Sequence, residues 1–254
     1  MPRDRIASAL EPMPLDLAAR ENEPLHAGNA RRRIYTRDLT VQLDIAALAD
    51  RIRTEADDHD RLIVAVAGPP GAGKSTLAEA LVAALEAGRP GMAALLPMDG
   101  FHFDDLHLVP AGLRPRKGAP ETFDVGGYAQ ALRRLRARDE PFVAVPVFDR
   151  AIEIARAGAR LISRSVPVVV TEGNYLLLDR APWSDLIGLF DLTILLQVPE
   201  AELERRLVQR WLDHGLGPEA AREKALKNDI PNARLVAGAS RPGDITLTQA
   251  EGDE

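Results

Sequence analysis

Apolar positions along the chain follow two rhythms. Continuous apolar runs at 62–67, 93–98, 143–147, 166–171 and 192–198 have the length and composition of strands covered on both faces. Between and around them, apolar residues recur at helical spacing. This is seen from Ile45 to Ile52, at Leu77, Leu81 and Leu85 beside Ala78 and Val82, at Val125, Tyr128, Leu132 and Leu135, and at Leu203, Leu207 and Trp211. Strands alternating with helices predict an α/β fold with a mostly parallel central sheet, helices on both faces, and ligands gathered beyond the carboxyl ends of the strands.

The ends break this rhythm. Residues 1–35 mix proline, charge and small side chains and finish in Arg31, Arg32 and Arg33. Such a segment buries too little apolar surface to offset its ordering entropy and reads as a flexible arm. The folded domain is expected over 36–245, followed by an acidic tail over 246–254 that ends in Glu251 to Glu254.

Composition narrows the function classes. The chain has 254 residues, 46% of them hydrophobic and 28% charged, which suits one folded core. Its net charge of −6 provides no broad footprint for nucleic acid or an anionic membrane, so neither is expected as a partner. The absence of cysteine excludes disulfides, thiolate nucleophiles and iron–sulfur clusters. The longest nearly apolar stretch, 186–199, is interrupted by Asp191 and falls short of the roughly 20 residues a bilayer needs. Glu11, Pro12, Pro14 and Asp16 interrupt any secretory core near the start, so a cytoplasmic location is expected.

Between the first strand and the next helix stands Gly68-Pro69-Pro70-Gly71-Ala72-Gly73-Lys74-Ser75, followed by Thr76. It matches G-x-x-x-x-G-K-[ST] in the strand–loop–helix context that pattern requires. Glycines let backbone N–H groups converge on phosphate oxygens, the helix start adds a positive dipole end, and Lys74 supplies a cation. Ser75 offers a hydroxyl to Mg²⁺. A dinucleotide fingerprint fits worse, because Thr76 stands where a third glycine or alanine belongs.

A phosphate cradle alone does not separate a kinase from an ATPase or a nucleotide-gated regulator. Two acids bear on the choice. Asp99, in Asp99-Gly100-Phe101-His102, and Glu172, in Glu172-Gly173-Asn174-Tyr175, each follow a strand on the side where the cradle lies. One can take a proton from an attacking hydroxyl while the other holds Mg²⁺; helix or turn capping is the plainer alternative. Arg206 and Arg210 share one edge of the helix seam and can close over phosphates as a lid, whereas Arg205 lies off that edge. Surface pairing with Glu202 or Glu204 is the competing explanation. His102, Asp104, Asp105 and His107 give no clean i, i+4 metal pair, so His102 is expected beside a substrate pocket. The polar stretch from Arg116 to Asp124 holds Lys117, one of only four lysines, and reads as a functional loop or a linker.

Taken together, these residues resemble the phosphoribulokinase, uridine kinase and bacterial pantothenate kinase group of P-loop kinases. The likeness runs from about Leu62 to Val236. It rests on Gly68 to Thr76, Asp99-Gly100-Phe101, the Arg116 to Asp124 stretch, Pro146-Val147-Phe148-Asp149-Arg150 and Glu172-Gly173. The wording around Met98 to His102 and Glu172 to Leu178 is most similar to a bacterial branch described as fructose-transport-associated or nucleoside kinase-like. The resemblance implies a three-layer P-loop NTPase fold with a helical lid, ATP and Mg²⁺ as cofactors, and a small-molecule acceptor; it leaves a homodimer open. It assigns Asp99 as the base, Glu172 as the metal-side acid, and Arg206 and Arg210, with Lys74, as charge stabilisers. His102, Lys117, Arg150 and Asn174 join Asp99 around the acceptor. Arg150 stands where the pantothenate kinases tend to carry a histidine, and three tyrosines and six phenylalanines do not establish a base-stacking pocket. A sugar or sugar-like polyol is the preferred acceptor, with a uridine-type nucleoside or pantothenate as alternatives, and a non-enzymatic nucleotide-dependent regulator as the reading of another class.

Overall fold

The computed structural model describes residues 44–249; the expected arm over 1–35 and the terminal acids Glu251 to Glu254 lie outside the described residues. In chain order the elements are α1 (Ile45–Ala56), β1 (Leu62–Ala67), α2 (Lys74–Gly88), β2 (Ala93–Pro97), α3 (Asp105–Leu108), α4 (Val125–Ala137), β3 (Phe142–Asp149) and β4 (Ile154–Ser163). They continue with β5 (Val168–Gly173), β6 (Leu192–Gln197), α5 (Glu200–Asp213), α6 (Pro218–Lys224), α7 (Ile230–Ala239) and β7 (Ile245–Thr248).

Five strands form one parallel sheet in the order β2-β5-β1-β6-β7. Residues of β1 alternate between two apolar layers, as a doubly covered strand must. Leu62, Val64 and Val66 pack with Ile52 of α1 and Leu77, Leu81 and Leu85 of α2, while Ile63, Ala65 and Ala67 pack with Tyr128, Leu132 and Leu135 of α4. The expected three layers, α/β/α, are therefore present. No helix among the described residues is long and apolar enough to cross a membrane.

Two expectations change. The run at 143–147 is not in the parallel sheet: β3 pairs antiparallel with β4 in a separate hairpin. Val143 and Val145 are buried while Phe142 and Ala144 are exposed, so β3 is covered on one face only, and Pro146 sits at a register shift where a ladder bond is dispensable. The domain boundary expected at 245 also moves, because Ile245–Thr248 pairs with Ile194 to Gln197 and belongs to the sheet rather than to a tail.

The hairpin rests on the turn Met98–Phe101 that follows β2. A Cβ on Gly100 would collide with the Pro146 carbonyl oxygen, so only glycine lets the two backbones approach. Gly100→Ala is expected to lower stability by about 1–3 kcal/mol, the range for overpacking a tight site. Thermal melting checks it; a native-like melting temperature would mean that the hairpin yields freely.

Candidate active site

Strand register gathers the site. Ala67 pairs with Gly173, and Glu172 lies across from both Val66 and Pro97. The glycine loop, Glu172 and the turn holding Asp99 thus leave three adjacent strand ends together. Gly173 makes this closeness tolerable, since a Cβ there would lie 2.5 Å from Met98 Sδ and 2.6 Å from Met98 Cβ.

The loop turns into α2 through Gly73 at φ 87°, a left-handed value that favours glycine. Among the described residues no side chain caps that helix, so its first-turn N–H groups are open to an anion. Lys74 is buried, and its Nζ donates to the Pro69 carbonyl at 2.8 Å. Burial lowers the Lys74 ammonium to about 8, against the opposing pull of the Glu172 and Asp99 carboxylates. Glu172 is buried as well. Its carboxyl is pushed well above the usual carboxylate range, first by burial and then by the Asp99 charge, with Lys74 and the Ser75 hydroxyl acting the other way.

This set fits a phosphate-bound divalent cation. A buried carboxyl raised by desolvation, a serine hydroxyl on the same wall, and uncapped N–H donors match what Mg²⁺ and a polyphosphate require.

From the opposite side, α5 packs onto the loop. Leu207 stands 3.1 Å from where a Gly71 Cβ would be, and Leu203 and Leu207 are buried. Arg206 bonds Glu202 at 2.6 Å and the Gly71 carbonyl at 3.4 Å, and Arg210 bonds Asp229 at 3.3 Å. Both face the cavity, whereas Arg205 is exposed and doubly bonded to Glu202. The surface-pairing alternative therefore describes Arg205 fully and Arg206 in part.

The stretch from Arg116 to Asp124 is integral to the fold and is no linker. Thr122 and Phe123 are buried, Phe123 bridges to His102, and the Tyr175 hydroxyl donates to the Gly118 carbonyl at 2.6 Å. His102 lies 3.9 Å and 4.8 Å, ring centre to ring centre, from Phe123 and Phe148. Burial lowers its pKa in spite of the neighbouring Asp99. Asp104 caps α3 through the Leu106 N–H, and Asp105 pairs with Arg114 and Lys117. Arg150, at the tip of the β3–β4 hairpin, pairs with Asp99 at 2.6 Å.

One cavity of about 500 Å³ gathers the chemistry of these elements. Pro70, Gly71, Gly73, Lys74, Ser75, Thr76, Asp99, His102, Lys117, Arg150, Glu172, Asn174, Arg206 and Arg210 share its wall. Gly68, Pro69 and Ala72, expected with them, are not on the wall. Gly68 passes against the Leu196 carbonyl, Pro69 supplies the acceptor for Lys74, and Ala72 is fully buried.

Other wall residues escaped the sequence reading. By spacing Trp211 belongs to the apolar seam, yet its Nε1 donates to Asp229 at 2.6 Å and it lines the cavity with Asp229 and Asn232. Asp229 closes a π-helical turn over Ala225–Asp229, and Asn232 stands in α7 just after it. The available signal was Pro231, which cannot donate to the Lys227 carbonyl and so disturbs the regular turn.

No family model matches the chain. It is 35% identical over 193 residues to "Uncharacterized protein YggC" of Escherichia coli K12, covering 75% of this chain and 79% of that protein. It is 33% identical over 198 residues to "Putative uridine kinase C227.14" of Schizosaccharomyces pombe, covering 75% of this chain and 84% of that protein. A crystal structure from Silicibacter sp. TM1040, described as a "putative fructose transport system kinase", superposes with a TM-score of 0.75 at 47% identity, over 81% of this chain and all of that one. With the glycine loop, the paired acids and the lid helix around one cavity, this chain belongs to the P-loop kinases of the uridine kinase and phosphoribulokinase group.

Proposed function

We propose that the chain transfers the γ-phosphoryl group of ATP to a hydroxyl of a small polar metabolite, preferably a sugar or sugar-like polyol. A uridine-type nucleoside and pantothenate are the alternatives. The observation that carries this reading is the meeting of Asp99, Glu172 and Lys74 at the ends of adjacent strands, in one cavity with the uncapped start of α2.

Each residue has a role in the proposal. Backbone N–H groups of the loop and the Lys74 ammonium hold the phosphates, while Arg206 and Arg210 approach from α5. Ser75 and Glu172 would hold Mg²⁺, which when bound neutralises charge on the phosphate oxygens. Asp99 takes the proton of the acceptor hydroxyl; the acceptor oxygen bonds to the γ-phosphorus as that phosphorus parts from the β-bridging oxygen, and ADP leaves with the electron pair.

Acceptor-dependent ADP release across sugars, polyols, nucleosides and pantothenate tests the proposal. A regulator would bind nucleotide and yield no phosphorylated metabolite; an ATPase would release phosphate at a rate no acceptor changes.

The titration of Glu172 makes a second prediction. Its ionised form is the one that serves a metal, and its carboxyl is raised, so kcat/KM for ATP at limiting Mg²⁺ should rise with pH through the neutral range. An ordinary carboxylate near 4 would put that limb at much lower pH. A flat profile from pH 5 to 8 would remove Glu172 from the metal role.

A further inference from the structure

Resting on the kinase reading, we infer that Asp229 is a positioning residue for the transfer step: from the turn before α7 it holds Arg210 and Trp211 of α5 so that Arg210 faces the phosphates. Asp229 is buried, with 7% of its surface exposed, and shares the cavity wall with both. Its Oδ2 accepts from Trp211 Nε1 at 2.6 Å and from Arg210 Nη2 at 3.3 Å.

The two bonds differ in kind. The Trp211 bond is short and pins the indole to the carboxylate, whereas the Arg210 bond is long for a charge-assisted contact and engages one nitrogen. A closed bidentate pair would occupy the guanidinium fork; one long bond aims it and leaves its other donors for a ligand. Arg210 has a second restraint, since its Cζ lies 5.2 Å from the centre of the Trp211 ring. Lys224 Nζ, 4.4 Å from the same ring centre, adds a further contact on the indole. Asp229 therefore acts on Arg210 directly and through the ring that Arg210 rests on.

The plainer roles of a buried acid do not fit. Asp229 stands at the N-cap of α7, yet among the described residues its side chain makes no capping bond there. Burial raises its carboxyl while Arg210, Trp211 and Lys224 pull the other way, so the group is held where its charge is disfavoured. The π turn over Ala225–Asp229 explains the placement: its extra residue offsets the side chains that follow by about 100° around the helix. The same turn is tied on another side, where Asn228 Nδ2 donates to the Lys117 carbonyl at 3.2 Å.

The test measures transfer from ATP with Mg²⁺ in the full chain, with the best acceptor among ribose, ribitol, glycerate, uridine and pantothenate. It compares Asp229→Ala, Asp229→Asn and Arg210→Ala with the double variants that combine Arg210→Ala with each Asp229 change. Asp229→Ala should lower kcat by about 30–100-fold, the scale of a charged group displaced by about 1 Å, while KM for ATP changes far less. Asp229→Asn still accepts from Trp211 but has no charge for Arg210; it should lose about 10-fold in kcat and melt no lower than the native chain. With Arg210 already removed, either change at Asp229 should cost less than about 2-fold more, because the group it positions is gone. Losses that multiply in the double variants make Asp229 merely structural and overturn the inference, as does a loss confined to KM or a native kcat in folded Asp229→Ala. If Asp229→Ala does not fold, the Asp229→Asn comparison with and without Arg210 decides in the same way. All of these overturning results leave the kinase reading standing. If none of the acceptors stimulates ADP release by the native chain, the kinase reading falls and this inference with it.

Discussion

Asp99→Asn is expected to bind nucleotide as the native chain does and to transfer the phosphoryl group about 10²–10⁴-fold more slowly, the usual yield of a positioned base. The amide keeps the shape and can still accept from Arg150, but it cannot take up the acceptor's proton. The phosphate-holding side should suffer little. Asp99 is one of the groups that hold the Glu172 carboxyl up, so its neutralisation makes Glu172 easier to ionise. Equilibrium nucleotide binding together with single-turnover transfer separates these effects. An Asp99→Asn protein that phosphorylates its acceptor at the native rate would end the assignment of Asp99 as base.

Lys74→Met should fail differently, with nucleotide affinity and rate falling together and the rate down by about 10²–10³-fold, as for removal of one preorganised charge contact. Among the described residues the Lys74 ammonium bonds only the loop's own Pro69 carbonyl, so such a loss belongs to the site. The substitution also removes the principal group that lowers the Glu172 carboxyl. The acid limb of any residual activity should therefore move to higher pH, because the carboxyl of Glu172 protonates more readily without a cation beside it. Unchanged nucleotide affinity in a folded Lys74→Met protein would contradict the cradle assignment.

Much of this site was legible from local order. A buried strand, glycines and a helix start are consecutive in the chain, so the cradle declares itself without tertiary knowledge. Asp99 and Glu172 were legible because both follow apolar strands, and parallel strands place their carboxyl ends together. The hairpin was not, since β4 carries Arg156, Gly158 and Arg160 where an apolar run would have announced a strand. The π turn that brings Asp229 to Trp211 was hidden for a related reason: a 3.6-residue period assigns faces wrongly once a helix gains a residue in one turn. Arg150 was singled out by its motif, but its partner, 51 residues away, follows from the packing of the hairpin on the turn at Gly100.

That hairpin shares no backbone ladder with the five-stranded sheet. The catalytic floor is thus cast by the sheet, while Phe148 and Arg150 hang over it from a separate two-stranded arm. Substitutions at the arm's tip can therefore change Phe148 and Arg150 while the strands that position the glycine loop and Glu172 keep their register.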